Sequence, residues 1–235
     1  QETTCAFDCF LLTRSPFVPD GKRKPGEKDE RVDAGMFAFA PAADSFADGA
    51  LLDLRSLNEK IAGEHGPVRA KGDGFVRGDG QAMRWFGVNA GPDLWMQSKD
   101  GVNYLARKLA KLGVNLVRLH GSLIQDGQPR LVDAKKLDAI CYFIAACKQQ
   151  GIYTTMSNFF PLWYRMDSSW GIGDYDGSDN KHPFAAIYFD ERLQAIQRSW
   201  LQQLLKHENP YTKVVLAREP ALAAIEMVNE DSLFF

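Results

Sequence analysis

Short apolar runs alternate with longer amphipathic segments from residue 85 to near the end of the chain. Four runs have the length of a strand, at residues 85–89, 114–120, 152–158 and 223–229. Between them, apolar residues recur every three or four positions, which predicts helices at residues 100–112, 133–150 and 190–207. Strands joined by helices of this length form parallel sheets through right-handed crossovers. The pattern therefore predicts an α/β fold.

The four predicted strands share a polar residue at or just after their C-terminal ends, namely Asn89, His120, Asn158 and Glu230. A common polar rim is typical of the active-site face of a (β/α)8 TIM barrel, whose catalytic residues lie at the C-terminal ends of the strands. A full barrel takes roughly 250 residues. Residues 85–235 are therefore expected to hold its first four βα units. An open, doubly wound domain of four strands is the alternative.

Residues 1–84 lack this rhythm and are expected to form an irregular, β-rich N-terminal segment, separate from the half barrel at residues 85–235. Within it, the charged run at residues 21–31 predicts a solvated loop. Alternating residues on both sides of Asp79 and Gly80 predict a β-hairpin across residues 74–85.

Composition narrows the class of protein. The hydrophobic content of 45%, the charged content of 25% and the net charge of −2 are those of an ordinary soluble protein, and they favour neither nucleic acid nor a membrane as partner. The chain begins with Gln1 rather than Met, which fits removal of a signal peptide and a secreted or periplasmic location. Cys5 and Cys9 could form a disulfide, whereas Cys141 and Cys147 are expected in the core. No Cys/His cluster has zinc spacing, so we expect no metal and no cofactor.

Two charged residues in the apolar runs carry the chemistry. The last run ends in Asn229 and Glu230, and a carboxylic acid at the end of a barrel strand is what hydrolysis of a glycosidic bond requires. Arg118 lies within the second run, and an arginine in a buried strand needs an anionic partner. The sequence offers no obvious partner for it in this segment.

The strand ends at residues 84–89, 115–120 and 225–230 resemble those of clan A glycoside hydrolases, especially family 5, over residues 70–235. The resemblance implies a retaining mechanism in which Glu230 is the general acid/base, with a pKa raised by a neighbouring carboxylate. It also implies that Asn229 binds the sugar 2-hydroxyl and that Arg118 orients the nucleophile and keeps it ionised. The family's nucleophile is a glutamate on strand seven, which this sequence does not reach. We therefore expect the nucleophile outside this chain.

Further residues are expected to contact substrate. His120 shares the side of its strand with Arg118, and Asn89 and Asn158 end the first and third strands. The loop that follows residue 158 is rich in aromatic residues, and Trp163 and Trp170 could stack on pyranose rings. Alternatively, these two tryptophans could be buried over the end of the barrel.

The sequence thus predicts an enzyme that hydrolyses O-glycosidic bonds in a β-linked polysaccharide or oligosaccharide by a retaining, two-carboxylate mechanism. The alternatives are a non-catalytic carbohydrate-binding protein built from an incomplete barrel and an unrelated open α/β domain. An open half barrel exposes two sheet edges and apolar surface. We therefore expect it to associate with a second half of the barrel, in a continuing chain or in a partner subunit.

Overall fold

The computed structural model of the protein describes residues 43–173 and 181–234. Contacts divide the chain into Gln1–Ala47 and Asp48–Phe235, and the description below concerns the second unit. Its strands are β1 (Arg69–Lys71), β2 (Gly74–Val76), β3 (Ala82–Met83), β4 (Gly87–Ala90), β5 (Leu116–Leu119), β6 (Ile124–Gln125), β7 (Gln128–Val132), β8 (Tyr153–Ser157), β9 (Glu208–Asn209), β10 (Val214–Val215) and β11 (Leu222–Glu226). Its helices are α1 (Pro92–Trp95), α2 (Lys99–Lys111), α3 (Ala134–Lys148) and α4 (Glu191–Leu205). The predictions for Cys5, Cys9 and residues 21–31 lie outside the described residues.

The central sheet places β4, β5, β8 and β11 side by side, all parallel and in chain order. Each new strand is added on the same side of the one before it. With right-handed crossovers this order puts every connecting helix on one face of the sheet. A doubly wound sheet reverses its strand order and carries helices on both faces. The predicted partial (β/α)8 barrel is therefore confirmed over the doubly wound alternative.

The two faces of this sheet differ in chemistry because successive side chains in a strand point to opposite sides. On one face, Val88, Val117, Leu119 and Met156 join the main apolar core together with residues of α2 and α3. The other face, which we call the inner face, holds Asn89, Arg118, Thr155, Ser157 and Glu226, paired across neighbouring strands. In a closed barrel the inner face would surround the axis.

The three long helices begin at residues whose side chains accept hydrogen bonds from their first turn. Ser98 caps α2, Asp133 caps α3 and Asp190 caps α4. The first two helices end close to Gly113 and Gly151, which have φ values of 83° and 69° in the left-handed region that glycine adopts most easily. A Cβ atom at Gly151 would also lie 1.8 Å from the carbonyl oxygen of Glu59. The predicted helices are confirmed with ends that shift by one or two residues.

Residues 59–85 close the N-terminal end of the sheet. The predicted hairpin is confirmed as β2 and β3, and β1 extends it to three antiparallel strands. Tyr153 at the start of β8 packs with Ala62 and Ala221, and its ring lies 5.5 Å from that of Trp85. The Tyr153 hydroxyl also donates a hydrogen bond to Glu59. Apolar packing and hydrogen bonding together therefore hold this segment against the base of the sheet.

Two details differ from the sequence prediction. A hairpin of β6 and β7, which the hydrophobic pattern does not predict, lies in the connection between β5 and α3. In addition, β11 ends at Glu226, whereas the prediction extended this strand to residue 229. The strand ends early because other groups bind the backbone that follows it. The Met227 carbonyl accepts a hydrogen bond from the side chain of Gln197 on α4, and the backbone N–H of Asn229 donates to the carbonyl of Phe159.

Two further observations concern the described residues as a whole. Cys141 and Cys147 are buried on α3 as free thiols, which confirms their prediction as core residues. None of the helices in residues 43–173 and 181–234 is long and apolar enough to cross a membrane.

Candidate functional site

Arg118 is at the centre of the polar residues on the inner face. Its Nη2 atom donates a hydrogen bond of 2.5 Å to Oε2 of Glu226 and another of 2.7 Å to Oδ1 of Asn229. Its Nη1 atom lies 3.5 Å from Oδ1 of Asn89, at the limit of hydrogen bonding. The predicted need for an anionic partner is thus met by Glu226. The expectation that this segment offers no such partner is wrong.

Glu226 lies at the last position of β11, beside Ser157 at the end of β8. Its Oε2 atom also accepts a hydrogen bond of 2.6 Å from the Ser157 hydroxyl. Desolvation opposes ionisation of this carboxyl, but the hydrogen bonds from Ser157 and Arg118 outweigh it and hold the pKa of Glu226 below its ordinary value. Glu226 is therefore ionised at neutral pH.

His120 follows β5 and extends this network toward the aromatic loop. Its Nδ1 atom lies 3.1 Å from the Ser157 hydroxyl oxygen. The ring packs against Trp163 and Phe160, with centroid distances of 4.6 and 5.4 Å. Desolvation and the positive charge of Arg118 lower the pKa of His120, and the carboxylates of Glu226 and Glu230 offset only part of this. The imidazole is therefore neutral at pH 7.

Asn229 and Glu230 lie in the turn that follows β11. Asn229 is 7% exposed and is fixed by Arg118 through its side chain and by Phe159 through its backbone. Glu230 is exposed and has a φ of 42°, in the left-handed region. Its carboxylate accepts no hydrogen bond from any residue in the described part of the chain, although its charge acts on His120. The Glu230 side chain is thus open to solvent, and its position depends on the backbone of the turn.

The neighbouring Asp231 has a structural role. One of its carboxylate oxygens accepts a hydrogen bond of 2.8 Å from the amide of Ala185, and its carbonyl accepts one of 2.9 Å from the hydroxyl of Tyr188. These contacts tie the turn after β11 to the segment before α4. Glu230 is therefore the available carboxylate of this adjacent pair.

Two predicted substrate contacts do not lie at this site. Asn158 is next to Ser157 and so points to the opposite face of the sheet, where it lines a small cavity with Tyr164 and Trp200. Trp170 is only 4% exposed, and it packs against the same two residues with ring distances of 5.5 and 6.1 Å. Neither Asn158 nor Trp170 therefore joins the polar cluster on the inner face, and their predicted sugar contacts stay predictions.

Trp163 and Asn89 remain accessible. Trp163 is half-buried against His120, and it borders a cleft between the β6–β7 hairpin and the loop at residues 163–170. Asn89 is exposed on the inner face beside Arg118. The structure therefore brings together Asn89, Arg118, His120, Trp163, Asn229 and Glu230 of the predicted residues. It adds Ser157 and Glu226.

The described residues contain one group of three side chains that could offer ligand atoms to a metal ion: Glu59, Glu64 and His65. This group lies at the N-terminal end of the sheet, where Glu59 accepts from Tyr153, and is therefore remote from the polar cluster. A guanidinium nitrogen of Arg77 lies 3.8 Å from Glu59. The group is best described as an ion-pair cluster.

No protein-family profile matches the sequence, and no curated protein is similar to it at a significant level. Solved structures do share its fold. The endo-1,4-β-mannanase from Rhizomucor miehei matches 70% of this chain and 48% of its own, with 18% identity and a TM-score of 0.54. The endo-β-1,4-mannanase from Thermotoga petrophila matches 65% and 36%, with 20% identity and a TM-score of 0.52.

A glycoside hydrolase family 5 mannosidase from Rhizomucor miehei matches 74% of this chain and 50% of its own, with 14% identity and a TM-score of 0.55. The chain thus spans half or less of the length of each of these three proteins. At such identities the likeness concerns the fold. The chain therefore has the fold of a partial (β/α)8 barrel, similar to that of the family 5 mannosidase and of the two mannanases.

Proposed function

We propose that this chain supplies the acid/base part of a retaining glycoside hydrolase that acts on a β-linked polysaccharide or oligosaccharide. The observation that carries the proposal is the position of Glu230. It is an exposed carboxylate next to Asn229, whose side chain binds Arg118, at the C-terminal end of the sheet where barrel enzymes place their catalytic groups.

The proposed reaction has two steps. Glu230 first donates its proton to the leaving glycosidic oxygen, while a carboxylate nucleophile bonds to the anomeric carbon. Glu230 then accepts a proton from the water that attacks this carbon and releases the nucleophile. Retaining enzymes place the two carboxyl groups roughly 5 Å apart. We assign the nucleophile to a second half of the barrel, in a continuing chain or in a partner subunit.

The neighbouring residues have roles that follow from their hydrogen bonds. The Oδ1 atom of Asn229 accepts from Arg118, and its Nδ2 group, which donates to no residue in the described part of the chain, would donate to a sugar hydroxyl. Arg118 fixes this amide and supplies positive charge beside the incoming nucleophile. Asn89, His120 and Trp163 would contact the sugar from the inner face and the loop.

The first substrate to test is β-1,4-linked mannan, because the solved structures that share this fold include mannanases. A hydrolase for an extracellular polysaccharide would be secreted or periplasmic, and we include this location in the proposal. The reaction as proposed uses no cofactor.

A second candidate function is carbohydrate binding without catalysis. The observation that favours it is the pair of Arg118 and Glu226, because it neutralises the arginine without any further carboxylate. A site that needed an external nucleophile for charge balance would leave Arg118 unpaired here. An experiment must therefore distinguish sugar binding from catalysis.

The test compares hydrolysis by the full protein that contains this chain with hydrolysis by its Glu230→Gln variant. The substrates are mannan and two aryl mannooligosaccharides that differ in their leaving group. We expect the variant to lose roughly 10²- to 10⁴-fold in kcat on the natural bond. On an aryl group that leaves without protonation, kcat/KM should fall far less, because it reports only the first step, in which such a group needs no proton. NMR of the released sugar should show retained configuration, and Glu208→Gln, at an exposed glutamate, is the matched control.

Three outcomes separate the candidates. Hydrolysis of the natural bond that depends on Glu230, with kcat/KM for the activated substrate nearly unchanged, supports the enzyme. Oligosaccharide binding without hydrolysis in the wild type supports the binding protein. Hydrolysis that survives Glu230→Gln on the natural bond would overturn the assignment of this residue.

A further inference from the structure

We propose that Glu226 and Ser157 are positioning residues that hold His120 in one tautomer, so that its Nε2 atom is left as a hydrogen-bond acceptor for a hydroxyl group of the substrate. The tautomer concerns the protein alone. The identification of the hydroxyl as that of a sugar rests on the proposed function.

The first step concerns the direction of the hydrogen bonds around Glu226. An arginine only donates, and an ionised carboxylate only accepts. Oε2 of Glu226 lies 2.5 Å from Nη2 of Arg118 and 2.6 Å from the Ser157 hydroxyl oxygen. The serine must therefore direct its single hydroxyl hydrogen at the carboxylate.

The second step concerns the imidazole. Because the hydroxyl hydrogen of Ser157 is directed at Glu226, the serine oxygen can only accept at its remaining contact, the 3.1 Å distance to Nδ1 of His120. That nitrogen must carry a hydrogen. A neutral imidazole has one N–H, so Nε2 keeps its lone pair. The lowered pKa of His120 supports the neutral form.

The surroundings of the ring explain why this assignment matters. Phe160 and Trp163 pack against His120 and fix the plane of the imidazole, and the charged groups that act on it are Arg118, Glu226 and Glu230. An acceptor in a fixed plane selects a ligand group that carries a hydrogen. A sugar hydroxyl meets this demand, whereas a carboxylate or a sulfate ester offers no hydrogen.

The experiment is ¹⁵N NMR of the histidine rings in the labelled protein at pH 7. In the wild type, we expect Nδ1 of His120 to have the chemical shift of a protonated nitrogen and Nε2 that of an unprotonated one. Ser157→Ala removes the acceptor and Glu226→Met releases the serine hydrogen to point at Nδ1. Both variants should move the population toward the Nε2–H tautomer. Thr155 also carries a hydroxyl on the same face of β8, so Thr155→Ala is the control and should leave the spectrum unchanged.

A wild-type imidazole protonated on Nε2, or a tautomer unaffected by Ser157→Ala, would overturn the proposal. Binding is measured separately, with mannooligosaccharide as the probe. Loss of one hydrogen bond should weaken binding by about tenfold in Ser157→Ala, with a smaller change in kcat than Glu230→Gln gives. The tautomer result needs no ligand, so a failed activity assay and a failed tautomer prediction are distinguishable.

Discussion

Arg118 shows how one side chain can organise a site. Its Nη2 atom donates hydrogen bonds to Glu226 on β11 and to the side-chain amide of Asn229 in the following turn. The guanidinium thus links the end of the strand to the residue before Glu230. Glu226 is ionised because Ser157 and Arg118 both donate to it. The electrostatic contribution of this pair should therefore depend on pH.

We expect the stabilising effect of Glu226 to disappear in acid. Its folded-state pKa lies below the ordinary value of 4.5, so its contribution is complete above that pH and is lost as the pH falls through the folded value. Glu226→Gln should therefore unfold at lower urea concentration than the wild type at pH 7, and the gap should narrow toward pH 3. Urea titrations followed by circular dichroism measure this gap.

The exposed Glu208→Gln is the control for removal of a carboxylate as such. A gap for Glu226→Gln that stays constant, or widens, as the pH falls would contradict the assigned direction of the pKa shift.

The sequence could predict Arg118, Asn229 and Glu230 as a group but not the role of Glu226. Strand alternation places residues 226 and 229 on opposite faces if the strand continues to residue 229. The strand ends at Glu226, and the chain then turns so that both side chains reach Arg118. The end of a strand depends on tertiary contacts such as Gln197 to Met227, which no local pattern reveals.

At the scale of elements, α4 supports the turn that carries the candidate acid. Its residues Leu193, Ile196 and Trp200 form a second apolar cluster in which Val228 also packs. Gln197 on the same helix holds the Met227 carbonyl with a hydrogen bond of 2.7 Å. The stability of α4 should therefore affect both the fold and the site.

The capping residue of α4 offers a test. Oδ1 of Asp190 accepts hydrogen bonds of 2.8 and 2.9 Å from the amides of Arg192 and Leu193. Asp190→Ala leaves these donors without a partner and should lower the free energy of unfolding by about 1 kcal/mol. Asp190→Asn keeps an acceptor and should lose clearly less. Equal losses in the two variants, measured by urea unfolding, would count against the capping role.

Helices and central strands were predictable because their periodicity and caps are local. The hydrophobic periodicity does not predict the β6–β7 hairpin, although Asp126 and Gly127 give a turn signal between its strands and Gly127 has a φ of 69°. Burial of Trp170 could not be predicted from composition. An aromatic loop can stack on a ligand or on its own protein, and here Tyr164 and Trp200 supply the packing partners.

At the scale of the whole molecule, the central sheet is open. Among the described residues, β4 pairs only with β5 and β11 only with β8, so each outer strand has one unpaired edge. Phe86 and Met227, next to these outer strands, are 59% and 47% exposed. Unpaired parallel edges and exposed apolar side chains favour association with another strand.

We therefore expect residues 1–235, prepared alone, to associate in a concentration-dependent way. Sedimentation velocity over a hundredfold range of concentration should show a rising mean mass. Circular dichroism at each concentration serves as the control that the protein remains folded. A folded, monodisperse monomer across the whole range would show that these edges are protected.

The left-handed backbone of Glu230 has a consequence for directed evolution. A non-glycine residue in this region costs roughly 1–2 kcal/mol of conformational free energy, and the cost is lower for asparagine than for glutamate. Selection for heat resistance alone would therefore favour replacement of Glu230 and reward variants that have lost their proposed acid. A thermostability campaign on this protein should therefore keep Glu230 unchanged if the proposed function is to be preserved.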